Sequence, residues 1–400
     1  MKTGWQTKTL GEICDIERGG SPRPIQNFIT ADTNGINWIK IGDATASGKY
    51  IYKTEEKIKS EGAKRSRMVY EGDFILSNSM SFGRPYIMRT TGCIHDGWLV
   101  LHQPKVDPDY LYYILSSDLV FDQFDRLASG STVRNLNIGL AKSVEIPYPP
   151  LPEQQRIVGI LDAAFDGIAV ARANAEQNLQ NARALFESHL QSVFTQAPLS
   201  GVEGRGAGWV EKKLSDVCAI TSTLVDPRKD EFLDLTHVGA GNIESLTGVF
   251  VELKTAREEG LISGKFLFDE SMVLYSKIRP YLMKVARPHF NGLCSADMYP
   301  LAPLPNEITR DYLFYLLLSK PFTDYAIQGS ARAGMPKVNR EHLFEFRMLL
   351  PDVKKQAELA AQLDALHEET QRLESLYQRK LTALGELKKS LLHQAFSGAL

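Results

Sequence analysis

The chain is written twice. "PPLPEQQRIVGILD" begins at Pro149 and "LLPDVKKQAELAAQLD" begins at Leu349, so Gln154 and Gln356, then Leu161-Asp162 and Leu363-Asp364, recur at an offset of about 202 positions. The correspondence extends in both directions. Trp5, Leu10, Cys14 and Ile16 of "GWQTKTLGEICDI" match Trp209, Leu214, Cys218 and Ile220 of "GWVEKKLSDVCAI". "YEGDFILS" resembles "FDESMVLY", "RPYIM" at Arg84 resembles "RPYLM" at Arg279, and Cys93 falls opposite Cys294. "DYLYYILSS" at Asp109 matches "DYLFYLLLS" at Asp311, and Ser188/Ser390 and Phe194/Phe396 close the series. A solenoid repeats every few tens of residues, so a period this long describes a duplicated two-part unit.

Each copy changes character once. Its first part carries short β-branched and aromatic runs, "INWIKIGD", "DFILS" and "MVLYS" among them, broken by Gly, Pro, Asn and Asp, which read as strands and turns. "DYLYYILSS" and its mate have helical spacing, so the part is a mixed α+β globule. Its second part opens on prolines, tolerated where a helix has no N–H partner to lose, with Glu153 near the positive end of the dipole. Apolar residues then recur at three- and four-residue steps: Ile157, Leu161, Ala164, Ile168, Ala171, Ala175, Leu179, Ala182, Phe186 and Leu190 in one copy, Leu359, Leu363, Leu366, Leu373, Tyr377, Leu381, Leu384 and Leu391 in the other. Ala164, Ala171, Ala175 and Ala182 are small where Leu366, Leu373, Tyr377 and Leu384 are large, which suits two helices packed on each other. The expected architecture is α+β: two duplicated globular domains joined by two long antiparallel coiled-coil helices with pseudo-twofold symmetry, the globules at opposite ends. Its boundaries are 1–148 for the first globule, 149–196 for its helix, 197–208 for a linker, 209–348 for the second globule and 349–400 for its helix.

Composition narrows the function. A 400-residue chain with 43% hydrophobic side chains has material for two cores. It shows no basic segment leading into an apolar one at its start and no apolar run of membrane-spanning length, so a cytoplasmic protein is expected. Cys14, Cys93, Cys218 and Cys294 lack C-x-x-C spacing and read as core residues. Net charge is −2, and the first globule with the start of its helix (1–151) holds 18 Lys and Arg against 17 Asp and Glu. A free-standing DNA binder is usually far more basic.

Beyond composition, "GSTVRNLN" followed by "EIPYPPLPEQQRIVGILD", the "EGDFILS…GRPYIM" stretch, a terminal "LLHQAFSG" and the duplication itself resemble the DNA specificity subunits of type I restriction-modification systems over nearly the whole chain. The second copy departs from the proline-rich P-L-P-E-Q pattern with "RMLLPDVKKQAELAAQLD". The resemblance implies that each globule is a target recognition domain reading one half of a split, asymmetric DNA sequence. It further implies that the helices act as spacer and docking surface for two methyltransferase subunits carrying S-adenosylmethionine, and that restriction/translocase subunits bring ATP and Mg2+. The chain itself would then be non-catalytic and hold no cofactor. Partners that neutralise phosphate would account for its weak charge and imply feeble DNA binding by the chain alone.

Three stretches offer DNA-contacting side chains. "KIKSEGAKRSR" supplies Lys57, Lys59, Lys64, Arg65 and Arg67 for phosphate. "LSNSMSFGRPY" supplies Asn78, Ser79, Ser81, Arg84 and Tyr86, and the second copy Lys277, Arg279 and Tyr281; Arg pairs bidentately with guanine and Asn with adenine. "SGSTVRNLN" and "QGSARAGMPKVN" supply Thr132, Arg134 and Asn135, then Arg332 and Lys337, while Asn137 and Asn339 are expected to cap the next helices. No catalytic or metal constellation stands out. "YPPL" at Tyr148 lacks the flanking residues of an adenine methyltransferase motif, and Asp352-Val353-Lys354 falls in the first turn of an expected helix. Two other readings, a coiled-coil scaffold with two protein-binding heads and a nuclease or methyltransferase in its own right, explain less of the sequence.

Overall fold

The computed structural model describes residues 4–78, 83–128, 136–195, 208–330 and 336–400, and these divide into two compact units, Met1–Glu176 with Gln378–Leu400, and Gln177–Tyr377. Two 45-residue helices, Leu151–Thr195 and Val353–Ser397, supply segments to both units. The first starts directly after Pro149-Pro150 and carries Pro152 in its first turn, and the second starts two residues after Pro351. Asp352 caps the second by accepting from the Lys355 N–H at 2.8 Å, which gives the carboxylate of Asp352-Val353-Lys354 a structural role.

In the first unit, strands Gln6–Thr9 and Glu145–Tyr148 pair antiparallel and bring the ends of the globular part together. One five-stranded sheet runs in the order Asp15–Arg18, Trp98–His102, Phe74–Ser77, Pro85–Met88, Tyr50–Ile51. The other runs Ile29–Thr30, Glu56–Ile58, Ile36–Ile39, Gly92–Ile94, Arg67–Val69. The second unit repeats the plan. Val210–Lys213 pairs with Arg347–Leu350, and a four-stranded sheet runs Cys218–Ala219, Met298–Pro303, Val273–Ser276, Val285–Ala286. Its five-stranded sheet, Leu224–Val225, Lys265–Phe268, Gly292–Cys294, Thr236–Val238, Lys254–Thr255, has four strands equivalent to those of the first copy, with the fifth on the opposite edge.

Register sets the true correspondence between copies. Gly92 lies opposite Asn37, and Gly292 opposite Thr236. A Cβ at either glycine would stand 2.6 Å from the Asn37 carbonyl oxygen or 2.5 Å from that of Thr236, so only glycine fits and the two are mates. Cys93 is therefore the mate of Leu293, and Cys294 that of Ile94. All four cysteines are buried, but Cys93 packs with Trp38 and Ile58 whereas Cys294 packs with Val238 and Leu274, as expected of neighbours on opposite faces. Cys14 and Cys218 are genuine mates, each Sγ donating to the carbonyl four residues back, Leu10 or Leu214.

The same test corrects two other matches. Ser77 faces Trp98 and Ser276 faces Met298, so Phe74–Ser77 corresponds to Val273–Ser276, one residue off the match of "YEGDFILS" with "FDESMVLY". "RPYIM" and "RPYLM" are not mates at all. Tyr86 pairs with Ile75 inside a sheet, whereas Tyr281 sits in the 3-10 turn Pro280–Leu282, and the residue occupying the place of Tyr86 is Ala286, opposite Leu274.

The expected stripe is buried at Ile157, Leu161, Ala175, Ala182, Leu190 and Leu363 and half-buried elsewhere, and each unit separately shows the long helices antiparallel. In the first unit, Phe396 packs edge-on to Tyr110 at 5.4 Å between ring centroids, Lys388 lies 4.9 Å from the Phe165 ring, and Arg156 donates to the Leu400 carbonyl at 2.9 Å. In the second unit, Phe194 meets Tyr312 at 5.2 Å, Phe186 meets His367 at 4.7 Å, and Arg183 bonds Glu374 at 2.8 Å. Later residues of one helix thus meet earlier residues of the other. Phe194 and Phe396, mates in the sequence, cover the mate tyrosines Tyr312 and Tyr110, both fully buried.

Buried glutamines explain why Gln154 and Gln356 recur. Gln154 accepts from the Asp107 N–H at 2.8 Å and donates to the Pro149 carbonyl at 2.9 Å. Gln356 accepts from the Thr309 N–H at 2.9 Å and donates to Glu307 and Pro351 at 3.0 and 2.9 Å. Each ties the start of a long helix to the start of the shorter one, Pro108–Leu115 or Arg310–Leu318, packed beside it.

Candidate nucleic-acid interface

Several of the loops singled out by their composition converge. At the end of strand Phe74–Ser77, the Asn78 carbonyl accepts from the Leu136 N–H at 3.1 Å; at the end of Val273–Ser276, the Lys277 carbonyl accepts from the Val338 N–H at 2.8 Å. The strand-end loop and the segment leading to the capping asparagine are thereby joined in both copies. Asn137 accepts from the Leu140 N–H at 2.9 Å and Asn339 from the His342 N–H at 2.7 Å, capping the helices Ile138–Lys142 and Arg340–Phe344.

Asn78 and Lys277 occupy one structural position. Asn78 Nδ2 donates to the Asp96 carbonyl at 2.9 Å, and Lys277 Nζ donates to the Ala296 carbonyl, the equivalent atom. Asn78 is buried and committed to this bond, and Tyr86 is buried edge-on to Trp98 with 6.0 Å between centroids. Both side chains belong to the protein interior, which corrects their reading as groove contacts. The sheet carries a core on each face, Phe74 and Leu76 in one and Ile75 with Tyr86 in the other, which polar and aromatic letters at a strand end do not reveal.

In the second copy, charged side chains gather among the described residues. Lys337 Nζ lies 3.3 Å and Lys277 Nζ 3.8 Å from Asp297 Oδ1, and Ile278 and Lys337 form an isolated antiparallel bridge. Burial, followed by the neighbouring Lys337, holds the Lys277 ammonium below the usual lysine value, with Arg340 adding to the repulsion and Asp297 opposing it. Arg279 is exposed and takes a left-handed φ of 49°, its N–H bonded to the Pro336 carbonyl at 2.9 Å; Tyr281 beyond it is half exposed. A non-glycine residue in that conformation is strained and persists only where its surroundings impose it. Asp297, the carboxylate shared by the two lysines, was not legible in the sequence, since its role depends on the strand-end turn that brings it there.

In the first copy, Lys57 Nζ donates to the Thr33 carbonyl at 2.6 Å and Lys59 Nζ to the Asn27 carbonyl at 3.1 Å. Arg65 lies over the Phe28 ring at 5.6 Å, and Arg67 pairs with Glu17 at 3.0 Å, while Lys64 is exposed. Arg84 is exposed, 5.3 Å from the Tyr86 ring. Ser79, Ser81, Thr132, Arg134, Asn135 and Arg332 lie outside the described residues.

Among the described residues no group of His, Cys, Asp or Glu is placed to hold a metal ion, and no helix is long and apolar enough to cross a membrane. Fold and loops together define a twice-built recognition module, two copies of one α+β head with loop-borne cations, on paired long helices. The chain belongs to the type I restriction modification DNA specificity family, whose model matches residues 2–180 and again 207–382. It is a specificity subunit with two target recognition domains. It is 27% identical over 329 residues to the type I restriction enzyme EcoDI specificity subunit of Escherichia coli, covering 75% of this chain and 72% of that one. The MjaIX specificity subunit of Methanocaldococcus jannaschii is 24% identical over 349 residues, covering 82% and 79%. Solved structures carry the same fold: a chain from work on assembly and conformational transition of a type I R-M system (TM-score 0.78, 18% identity, 100% and 99% covered) and the HsdS subunit from Thermoanaerobacter tengcongensis (TM-score 0.66, 19% identity, 100% and 98% covered).

Proposed function

We propose that each recognition domain reads one half of a bipartite, asymmetric DNA target, and that the long helices set the distance between halves and dock two methyltransferase subunits. The carrying observation is the backbone bond joining the residue after the strand to the segment before the capping asparagine in both domains, beside stretches whose sequences differ between copies. A shared frame with different side chains suits two different half-sequences. Lys57, Lys59, Lys64, Arg65, Arg67 and Arg84 serve the first half-site, with Ser79, Ser81, Thr132, Arg134 and Asn135 as its further candidates; Lys277, Arg279, Tyr281, Lys337 and Arg332 serve the second. The reaction chemistry lies with partners: S-adenosylmethionine on the methyltransferase subunits, ATP and Mg2+ on restriction/translocase subunits.

Reconstitution with methyltransferase subunits, followed by mapping of methylated adenines, tests this reading. A single split, non-palindromic target is expected; methylation without sequence preference, or at one contiguous palindrome, refutes it. In that complex, Arg279→Ala with Lys337→Ala should flatten the dependence of log affinity on log salt by roughly 0.9 for each phosphate that is no longer neutralised.

A further inference from the structure

Aspartates repeated at Asp109/Asp311 and Asp162/Asp364 mark a node that the sequence repeat does not explain, because the cations that meet them are not mates. In the second unit, Arg287, just after strand Val285–Ala286, bonds Asp311 on helix Arg310–Leu318 at 2.9 Å and Asp364 on the long helix at 2.7 and 3.3 Å. Tyr315 Oη donates to Asp364 at 2.6 Å, and the guanidinium lies 4.3 Å from the Phe314 ring. In the first unit Lys49, just before strand Tyr50–Ile51, reaches Asp109 and lies 4.8 and 5.1 Å from the Tyr112 and Tyr113 rings, and Tyr113 Oη donates to Asp162. The acceptors and rings keep the 202-residue offset. The cations come from different strands on the same side of the equivalent sheet, Lys49 from the edge strand Tyr50–Ile51 and Arg287 from the counterpart of its neighbour Pro85–Met88.

A cation delivered twice by different strand positions to one point in space is placed there by what it holds. That point lies where sheet, short helix and long helix meet. Burial opposes the charge of Arg287, but the Asp364 hydrogen bonds outweigh it and hold the guanidinium firmly protonated; Asp364, opposed by its own burial, is held below the usual carboxylate range by Arg287 and Tyr315. The planar fork spans two carboxylates at once, which fixes direction as well as distance. An ammonium such as Lys49 fixes distance alone.

We infer that Arg287 is a positioning residue that latches the second recognition domain to its long helix and thereby fixes the half-site spacing the subunit accepts, with Lys49 the looser counterpart in the first domain. This rests on the bipartite reading above. Arg287→Ala, Arg287→Lys, the isosteric Asp364→Asn and Lys49→Ala would each be assembled with the methyltransferase subunits. Methylation would be mapped on a plasmid library in which the spacer between half-sites varies by single base pairs. Wild type is expected to accept one spacing. Arg287→Ala and Asp364→Asn should lose about tenfold of the discrimination against sites one base pair longer or shorter, the scale of one charge-assisted pair, with both half-sequences unchanged. Arg287→Lys should recover part of it, and Lys49→Ala should lose less than Arg287→Ala. Unchanged spacing, altered half-sequences, or failure of both Arg287→Ala and Asp364→Asn to assemble would each overturn the latch. A wild-type complex with no split target would instead overturn the bipartite reading.

Discussion

Replacing Gln356 by leucine, which has no polar side-chain atom, removes three hydrogen bonds from a fully buried side chain: those with the Thr309 N–H, the Glu307 carbonyl and the Pro351 carbonyl. Net losses of about 1 kcal/mol per bond give about 3 kcal/mol, a factor of roughly 150 in the local opening equilibrium. Gln154→Leu removes only two bonds, with the Asp107 N–H and the Pro149 carbonyl, hence about 2 kcal/mol and roughly 30-fold. A global melt would blur the difference, because two compact units need not unfold together. Amide hydrogen exchange read by peptide resolves them. In Gln356→Leu, protection should drop over Thr309 and helix Arg310–Leu318 while Pro108–Leu115 stays as in wild type; Gln154→Leu should do the reverse. Acceleration below about threefold at the targeted helix, or equal acceleration of both, would refute the view that each glutamine clamps its own pair of helices.

Gly292→Ala drives a Cβ to 2.5 Å from the Thr236 carbonyl oxygen and should cost roughly 1–3 kcal/mol in urea unfolding, whereas Gly385→Ala, in open space on the long helix, should stabilise by roughly 0.5–1 kcal/mol. The thiols of Cys14, Cys218 and Cys294 are pushed up to about 12 by burial, and that of Cys93 is raised for the same reason, so a thiol-reactive dye should label none of the four until the chain unfolds. Burial holds the His237 imidazole below its ordinary value against the opposing Glu259 carboxylate 2.9 Å away. The unfolded chain accepts a proton that the folded one resists, so this stability is full above about pH 6.5 and falls away below it. His237→Asn should flatten the acid-side decline of the second domain's urea midpoint by that share, and an unchanged slope would contradict the burial argument.

Much of the candidate site was legible because its signals are local. Asn137 and Asn339 announce caps through the reach of an amide side chain to an N–H three residues on. The strand-end loops and the segments before those asparagines were read as separate candidates, and their convergence through Leu136 and Val338 is a tertiary fact. Asn78 and Tyr86 misled because their letters suit a groove, whereas the sheet carries a core on both faces, which buries Tyr86, and the Asn78 amide is spent on the Asp96 carbonyl.

Residue type and spacing along the chain determined the two copies, the two long helices with their apolar stripes and the helix caps, because helix and cap hydrogen bonds reach only three or four residues along the chain. Only the tertiary structure decided that the long helices run antiparallel, that Ala286 rather than Tyr281 stands where Tyr86 does, that Cys93 and Cys294 face opposite ways, and that Lys49 and Arg287 meet the equivalent carboxylates Asp109 and Asp311. Turn lengths shift strand register, and a single-residue shift exchanges the faces of a sheet. A carboxylate, for its part, accepts a cation from whichever strand delivers one within reach.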